Sequence, residues 1–340
     1  MLWPEGHGCL SVAGVTLTSA PVRSGALLAV GAMICVGSSV AVSRSIIDAP
    51  LFTLQAVRYA VAAALLLGFA AVARRPLPRP RGVEWWWLGG VAATGLVLFN
   101  VAVVRGVAHA EPAVIGVAVA AVPLALAVAG PLLSRGRPAP VVVLGAVVVT
   151  AGAVLVQGGG RTDAAGIGWA LVVMLCEIAF TLLAVPVLGR LGPWAVSLHA
   201  VWIAAVALAV LGLAVEGPRA VTTLGPVDLL AAAHLAVVVT ALAFVLWYSA
   251  VGRLGPGRAG LFTGVVPVTA AAGGVLLGGP VPSGIVWLGT AVVAAGLVIG
   301  FGRRRANGAL DRQVGPRVPF VQRINPGVGS PRTWRPRRSP

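Results

Sequence analysis

The stretch LVVMLCEIAFTLLAVPVLG, residues 171–189, is apolar except for one acid, Glu177, near its middle. A carboxyl at the centre of a membrane helix costs about 3 kcal/mol on insertion scales, so something must offset it. Two chemistries fit. Glu177 binds a cationic group of a substrate, or it takes up and releases a coupling proton. The structural alternative is a protonated acid hydrogen-bonded to a neighbouring helix. Thr181, one turn on, shares the face of Glu177 and offers it a hydroxyl.

Arg58 is the other deep charge, about two turns into an apolar run. Snorkelling to the headgroups, or a pair with Asp48 or a backbone carbonyl, is the favoured reading for it. His199 and His234 can carry protons because imidazole titrates near neutral pH, although a histidine between helices more often serves as a hydrogen-bond partner. Asn100, Ser38, Ser39, Thr240 and Thr263 either line a cavity or join helices.

Other chemistries lack their residues. The three cysteines, Cys9, Cys35 and Cys176, have no metal-ligand or CxxC spacing, so no metal and no cofactor is expected. There is no lysine and no GxxxxGK[ST] pattern, which excludes ATP hydrolysis on this chain. A membrane enzyme of the lipid- or prenyl-transferase type needs clustered acids or a catalytic set near an interface. The nine acidic residues form neither, so no catalytic residue is expected. A scaffold that transports nothing is the remaining rival.

These residues require membrane-spanning elements to position them. Of 340 residues, 58% are hydrophobic and 10% charged, and mean hydropathy is +0.97. A soluble chain would carry about a quarter charged residues. Ten candidate spans follow, at 25–43, 51–73, 85–106, 112–133, 140–157, 166–188, 194–215, 227–250, 256–278 and 283–302. Arg74, Arg75, Arg79, Arg81, Arg135, Arg137, Arg190, Arg253 and Arg258 all follow even-numbered spans, on the same side as Arg23 and the C-terminal tail. By the positive-inside rule both termini are cytoplasmic. Residues 1–24 are expected to form a short N-terminal arm without the pattern of a cleavable signal. Residues 303–340 hold ten Arg and one Asp with no apolar periodicity, and read as a disordered basic tail drawn to anionic lipid. That tail contains no folded reader, so no nucleic-acid partner is expected.

The chain also repeats itself. Shifted by 144 residues, 112–152 lies ungapped over 256–296 with 16 identities in 41 positions. Among them are Pro112/Pro256, Gly116/Gly260, Pro123/Pro267, Pro138/Pro282, Gly145/Gly289 and Gly152/Gly296. Residues 25–157 and 166–302 then form two halves of five spans. Five is odd, so the second half enters the membrane upside down. The fold class is therefore all-α integral membrane, ten helices in two inverted five-helix repeats, an arrangement that suits a carrier working by alternating access. Pro123 and Pro267 occupy one repeat register, and each removes a helical hydrogen bond. They are the candidate kinks beside the site, and Pro186 is a further one. Gln55 and Arg58 fall over His199 and Trp202, which points to a shared interior stripe on spans 2 and 7. Glu177 falls over Met33.

Two five-span repeats of this size, the stretch LFTLQAVRYAVAAALLLG with Arg58, and the glycine–proline pattern around Pro123 and Pro267 resemble the drug/metabolite transporter superfamily, in its ten-span EamA branch. The resemblance covers about 25–302. In span 1 the chain keeps Gly37 but has neither the Trp nor the Asn usual there. The resemblance implies that spans 1, 3, 4, 6, 8 and 9 surround a central cavity, so that Glu177 faces water. It also implies a small-molecule substrate exported across a bacterial plasma membrane, with the lipid bilayer as surroundings. The architecture leaves a homodimer open.

Overall fold

The computed structural model describes residues 20–43, 46, 48–276 and 281–301. The expected arm up to residue 19 and the basic tail lie outside them. Residues 20–24, assigned to the arm from sequence, are helical instead.

Among the described residues every extended element is a helix, and nine are long and apolar enough to cross a membrane. Helices are the expected solution, because in lipid each backbone N–H and C=O must find its partner inside its own segment. The first half runs α1 (Ala20–Ser43), α2 (Leu51–Val72), α3 (Glu84–Val91), a π-helical segment Ala92–Leu98 and α4 (Phe99–Val107). It continues through α5 (Pro112–Ala120), α6 (Val122–Leu133) and α7 (Pro140–Gln157). The second half runs α8 (Ala164–Leu182), α9 (Val185–Val215), α10 (Pro226–His234), a π-helical segment Leu235–Leu242 and α11 (Ala243–Leu254). Then come α12 (Pro256–Gly260), a 3₁₀ turn Leu261–Gly264, α13 (Val265–Leu276) and α14 (Gly284–Phe301).

Local sequence explains the ends. Pro112, Pro140, Pro226 and Pro256 open their helices, where the missing N–H is not needed. Asp163 caps α8 by accepting from Gly166 N at 2.8 Å. The Glu84 carboxylate accepts from Arg81 N at 2.7 Å, and the Asp228 carboxylate accepts from Gly225 N at 2.9 Å. Both donor and acceptor recur at the 144-residue offset, so the two halves cap this helix alike. Pro186, expected from sequence to kink a span, sits in the first turn of α9 instead. The bend in that helix is at Gly192, whose φ of +74° requires glycine, followed by Pro193.

Spans 3 and 8 contain no proline to mark a break in an α-helix. Each nevertheless contains a π segment, and the offset carries 92–98 onto 236–242. Spans 4 and 9 are interrupted in the same way: α5 gives way to α6 at Ala121, and a 3₁₀ turn precedes α13 at Val265. Pro123 and Pro267 each lie two residues beyond their break.

The packing repeats as well. The offset converts the contact of α1 with α11 into that of α8 with α4, and the contact of α1 with α13 into that of α8 with α6. Helix α2 packs on α9, and α7 packs on α14, its own repeat partner. Glycines bring α7 and α14 backbone to backbone. A Cβ on Gly145 would lie 2.8 Å from Gly296 O, and one on Gly152 would lie 2.8 Å from Gly289 O. Since 145 to 152 runs against 296 to 289, the two helices are antiparallel. Outward-facing Leu27, Val72, Leu230 and Leu276 are each more than 70% exposed, as a lipid-facing surface requires.

Candidate functional site

A cavity of about 330 Å³ lies between the halves. Its wall follows the repeat. Met33 and Val36 of α1 face it together with their offset partners Glu177 and Phe180 of α8. Gly95, Phe99, Asn100 and Val103 of span 3 face it with Val239, Ala243, Phe244 and Trp247 of span 8. Val119 and Val122 of span 4 face it with Thr263 and Val266 of span 9. Both π segments therefore border the cavity, in keeping with the frequent occurrence of π-bulges at functional sites.

Span 2 breaks the pairing. Gln55, Arg58 and Tyr59 line the cavity, whereas their partners His199, Trp202 and Ile203 do not. The shared interior stripe expected for spans 2 and 7 is thus corrected: span 2 turns that stripe inward, and Trp202 is 37% exposed on the outside. The favoured structural reading of Arg58 also changes. Its Nε donates to Thr240 Oγ1 at 2.9 Å and one terminal nitrogen donates to Gln55 Oε1 at 3.2 Å. The guanidinium carbon lies 4.9 Å from the Tyr59 ring centre. Both hydrogen-bond partners are neutral, so the charge is held in place without being cancelled. Asn100 completes the cluster by donating to the Tyr59 hydroxyl at 3.0 Å and to Leu96 O.

Glu177 is half-buried, faces the same cavity and has no hydrogen-bond partner among the described residues. Among the described residues the cavity thus presents one cation, Arg58, and one carboxyl, Glu177, with Ser39, Gln55, Tyr59, Asn100 and Thr263 adding neutral polar groups to a largely apolar, aromatic wall. Such a chamber suits a small amphipathic molecule with one or two polar groups.

The family model of EamA-like transporters matches residues 23–157 and again residues 164–301. The chain belongs to the EamA-like transporter family. A solved structure described only as the crystal structure of a protein superposes with a TM-score of 0.70 at 20% identity, over 82% of this chain and 97% of that one. At that identity the likeness concerns the fold alone. No curated protein matches.

Within this EamA-like fold the remaining candidates fall outside the cavity lining. Thr181 is buried on the far side of the wall and accepts from Trp247 Nε1 at 3.3 Å, so it braces a lining residue. Ser38 lies 3.1 Å from His234 Nε2 and ties α1 to the start of the span 8 π segment, while its neighbour Ser39 faces the cavity. His199 accepts from Trp202 Nε1 at 2.9 Å and stacks edge-on with Trp85. No group of His, Cys, Asp and Glu among the described residues could hold a metal. Sequence reasoning passed over Tyr59 and the aromatic wall of Phe99, Phe180, Phe244 and Trp247. The 144-residue offset leads from Asn100 to Phe244, whereas no sequence signal marks Tyr59, whose partner Ile203 lies outside the lining.

Proposed function

We propose that this chain is a secondary transporter of a bacterial cytoplasmic membrane, exporting a small metabolite, amino acid or drug by alternating access. Its spans number ten, in two oppositely inserted five-helix halves with both termini cytoplasmic. The antiparallel glycine contact between α7 and α14, helices that occupy the same place in their halves, supports the inversion. The observation that carries the reading is the cavity wall, built from repeat-related residues of both halves with Glu177 among them. Two halves that share one chamber can open it to either face by rocking against each other. Glu177 takes the coupling proton or a cationic group of the substrate. Arg58 and Asn100 hold an anionic or carbonyl group opposite. The breaks before Pro123 and Pro267 let spans 4 and 9 bend beside the chamber.

The test compares metabolites in the growth medium of cells with and without the gene, followed by flux of the compound found in proteoliposomes. A compound whose export depends on the gene and on Glu177 is expected. Equal media and no flux would leave a scaffold.

A further inference from the structure

The two halves share a register but differ in posture. Spans 4 and 9 meet tightly at one end. A Cβ on Gly260 would lie 2.8 Å from Leu126 Cβ, and one on Gly257 would lie 3.4 Å from Ala127 Cα. The offset partner of Gly260 is Gly116, and there the neighbour is the Gln157 side chain of the same half rather than span 9. Spans 2 and 7 differ at the cavity as well, since Gln55, Arg58 and Tyr59 line it and their partners His199, Trp202 and Ile203 do not.

Resting on the transporter reading above, we propose that this posture is one of two, and that in the other His199, Trp202 and Ile203 form the wall now supplied by Gln55, Arg58 and Tyr59. When two equivalent halves exchange postures, every contact across them is replaced by its offset partner. The Arg58–Thr240 contact becomes Trp202 against Leu96. The Ala127–Gly257 contact becomes Ala113 against Ala271. Glu177 stays in the wall in both arrangements, because its partner Met33 already lines the cavity opposite it. Arg58 withdraws, and an indole takes its place. The chamber therefore offers a cation to an anionic ligand group in one arrangement only, and an anionic group held at Arg58 loses its counter-charge on exchange. His199 and Trp202, which the present arrangement keeps outside the cavity, are the specificity-determining residues of the other.

The experiment uses the full chain with Cys9, Cys35 and Cys176 replaced by Ala, in membranes, with paired cysteines and a short bifunctional thiol reagent. A127C/G257C reports the present posture and A113C/A271C the exchanged one. L96C/W202C reports the new wall. All three pairs should crosslink, and H199C alone should react with a membrane-impermeant thiosulfonate. Should L96C/W202C fold poorly, H199C carries the result. Crosslinking of A113C/A271C with neither L96C/W202C crosslinking nor H199C labelling overturns the proposal. Failure of A113C/A271C, while the cysteine-free parent still changes the growth medium, overturns the exchange and leaves the transporter reading standing. If the parent leaves the medium unchanged, both fall.

Discussion

Arg58 Nε stands 2.9 Å from Thr240 Oγ1, so a charge on the first half is held by a residue of the second half's π segment. Thr240 is fully buried, and removing its hydroxyl leaves a charged donor unpaired at membrane depth. Thr240→Val should cost about 1–3 kcal/mol, the desolvation penalty of an unmet partner. In a chain of this size that corresponds to a fall in Tm of several degrees in detergent, on the order of 2–4 °C per kcal/mol. Thr240→Ser should restore most of it, since it keeps the oxygen. Equal melting of the Val and Ser variants would mean that the hydrogen bond contributes nothing.

Glu177 is a different kind of polar residue, because no hydrogen bond satisfies it among the described residues. Glu177→Gln keeps its shape and removes its proton chemistry. If the acid carries the coupling proton, flux in proteoliposomes should lose its dependence on an imposed pH gradient and fall at least about ten-fold, the equivalent of 1.4 kcal/mol. Folding should be little affected, since no hydrogen bond is lost. A variant whose flux still tracks the gradient would reassign the coupling to another group.

How much of this was legible beforehand depends on the kind of interaction. Span positions and the duplication are written in one-dimensional signals, apolar length and fixed spacing; among the described residues nine of the ten expected spans are helices long and apolar enough to cross a membrane, and the family model matches the chain twice. Glu177 was found because an acid in an apolar run stands out by itself. The partners of Arg58, Thr240 and Gln55 rather than Asp48, were not readable because they depend on the rotation of span 2 about its axis, which an almost uniformly apolar helix does not encode. The same ambiguity placed His199 inside and left Ser38 and Ser39 undistinguished. The π segments were invisible because Ala92–Leu98 and Leu235–Leu242 contain no proline to announce an irregular helix.

The α7–α14 seam yields a contrast between two glycines. A Cβ on Gly296 would lie 2.6 Å from Val149 N and 2.9 Å from Gly145 O, against backbone that cannot move aside. Gly296→Ala should therefore destabilise by about 1–3 kcal/mol, as overpacking does. Gly168 is also helical, but nothing lies within 4 Å of its Cβ position. Gly168→Ala should stabilise by about 0.5–1 kcal/mol through helix propensity alone. Thermal shifts of opposite sign in detergent are the expected result. Similar shifts at both positions would sink the close-packed seam.

At one end of the bundle, residues 109–111 pair with 161–163 in a small clasp between the halves. Glu111 N donates to Arg161 O at 3.0 Å, and Arg161 Nε donates to the Glu111 carboxylate at 2.9 Å. His109 Nδ1 lies 3.0 Å from the Asp163 carboxylate, which also accepts from Gly166 N. The Arg161 hydrogen bond holds the Glu111 carboxyl below its ordinary range, and the Gly166 N–H, seconded by His109, does the same for Asp163. For acids with lowered folded-state pKa values the sign is fixed. Their contribution is present above the ordinary carboxylate pKa of about 4 and disappears as the pH falls through the lowered value. The clasp should thus stay shut from neutral pH to about pH 5 and open below pH 4. Asp163→Asn should leave Glu111 alone to set that opening, since Asn still caps α8 and only the contact with His109 loses its charge. A cysteine in place of Ala110, which the clasp keeps only 6% exposed, probed with a maleimide-like reagent that tolerates acid, would read it, and accessibility that stays flat from pH 6 to about pH 3 would show that other contacts hold the two loops together.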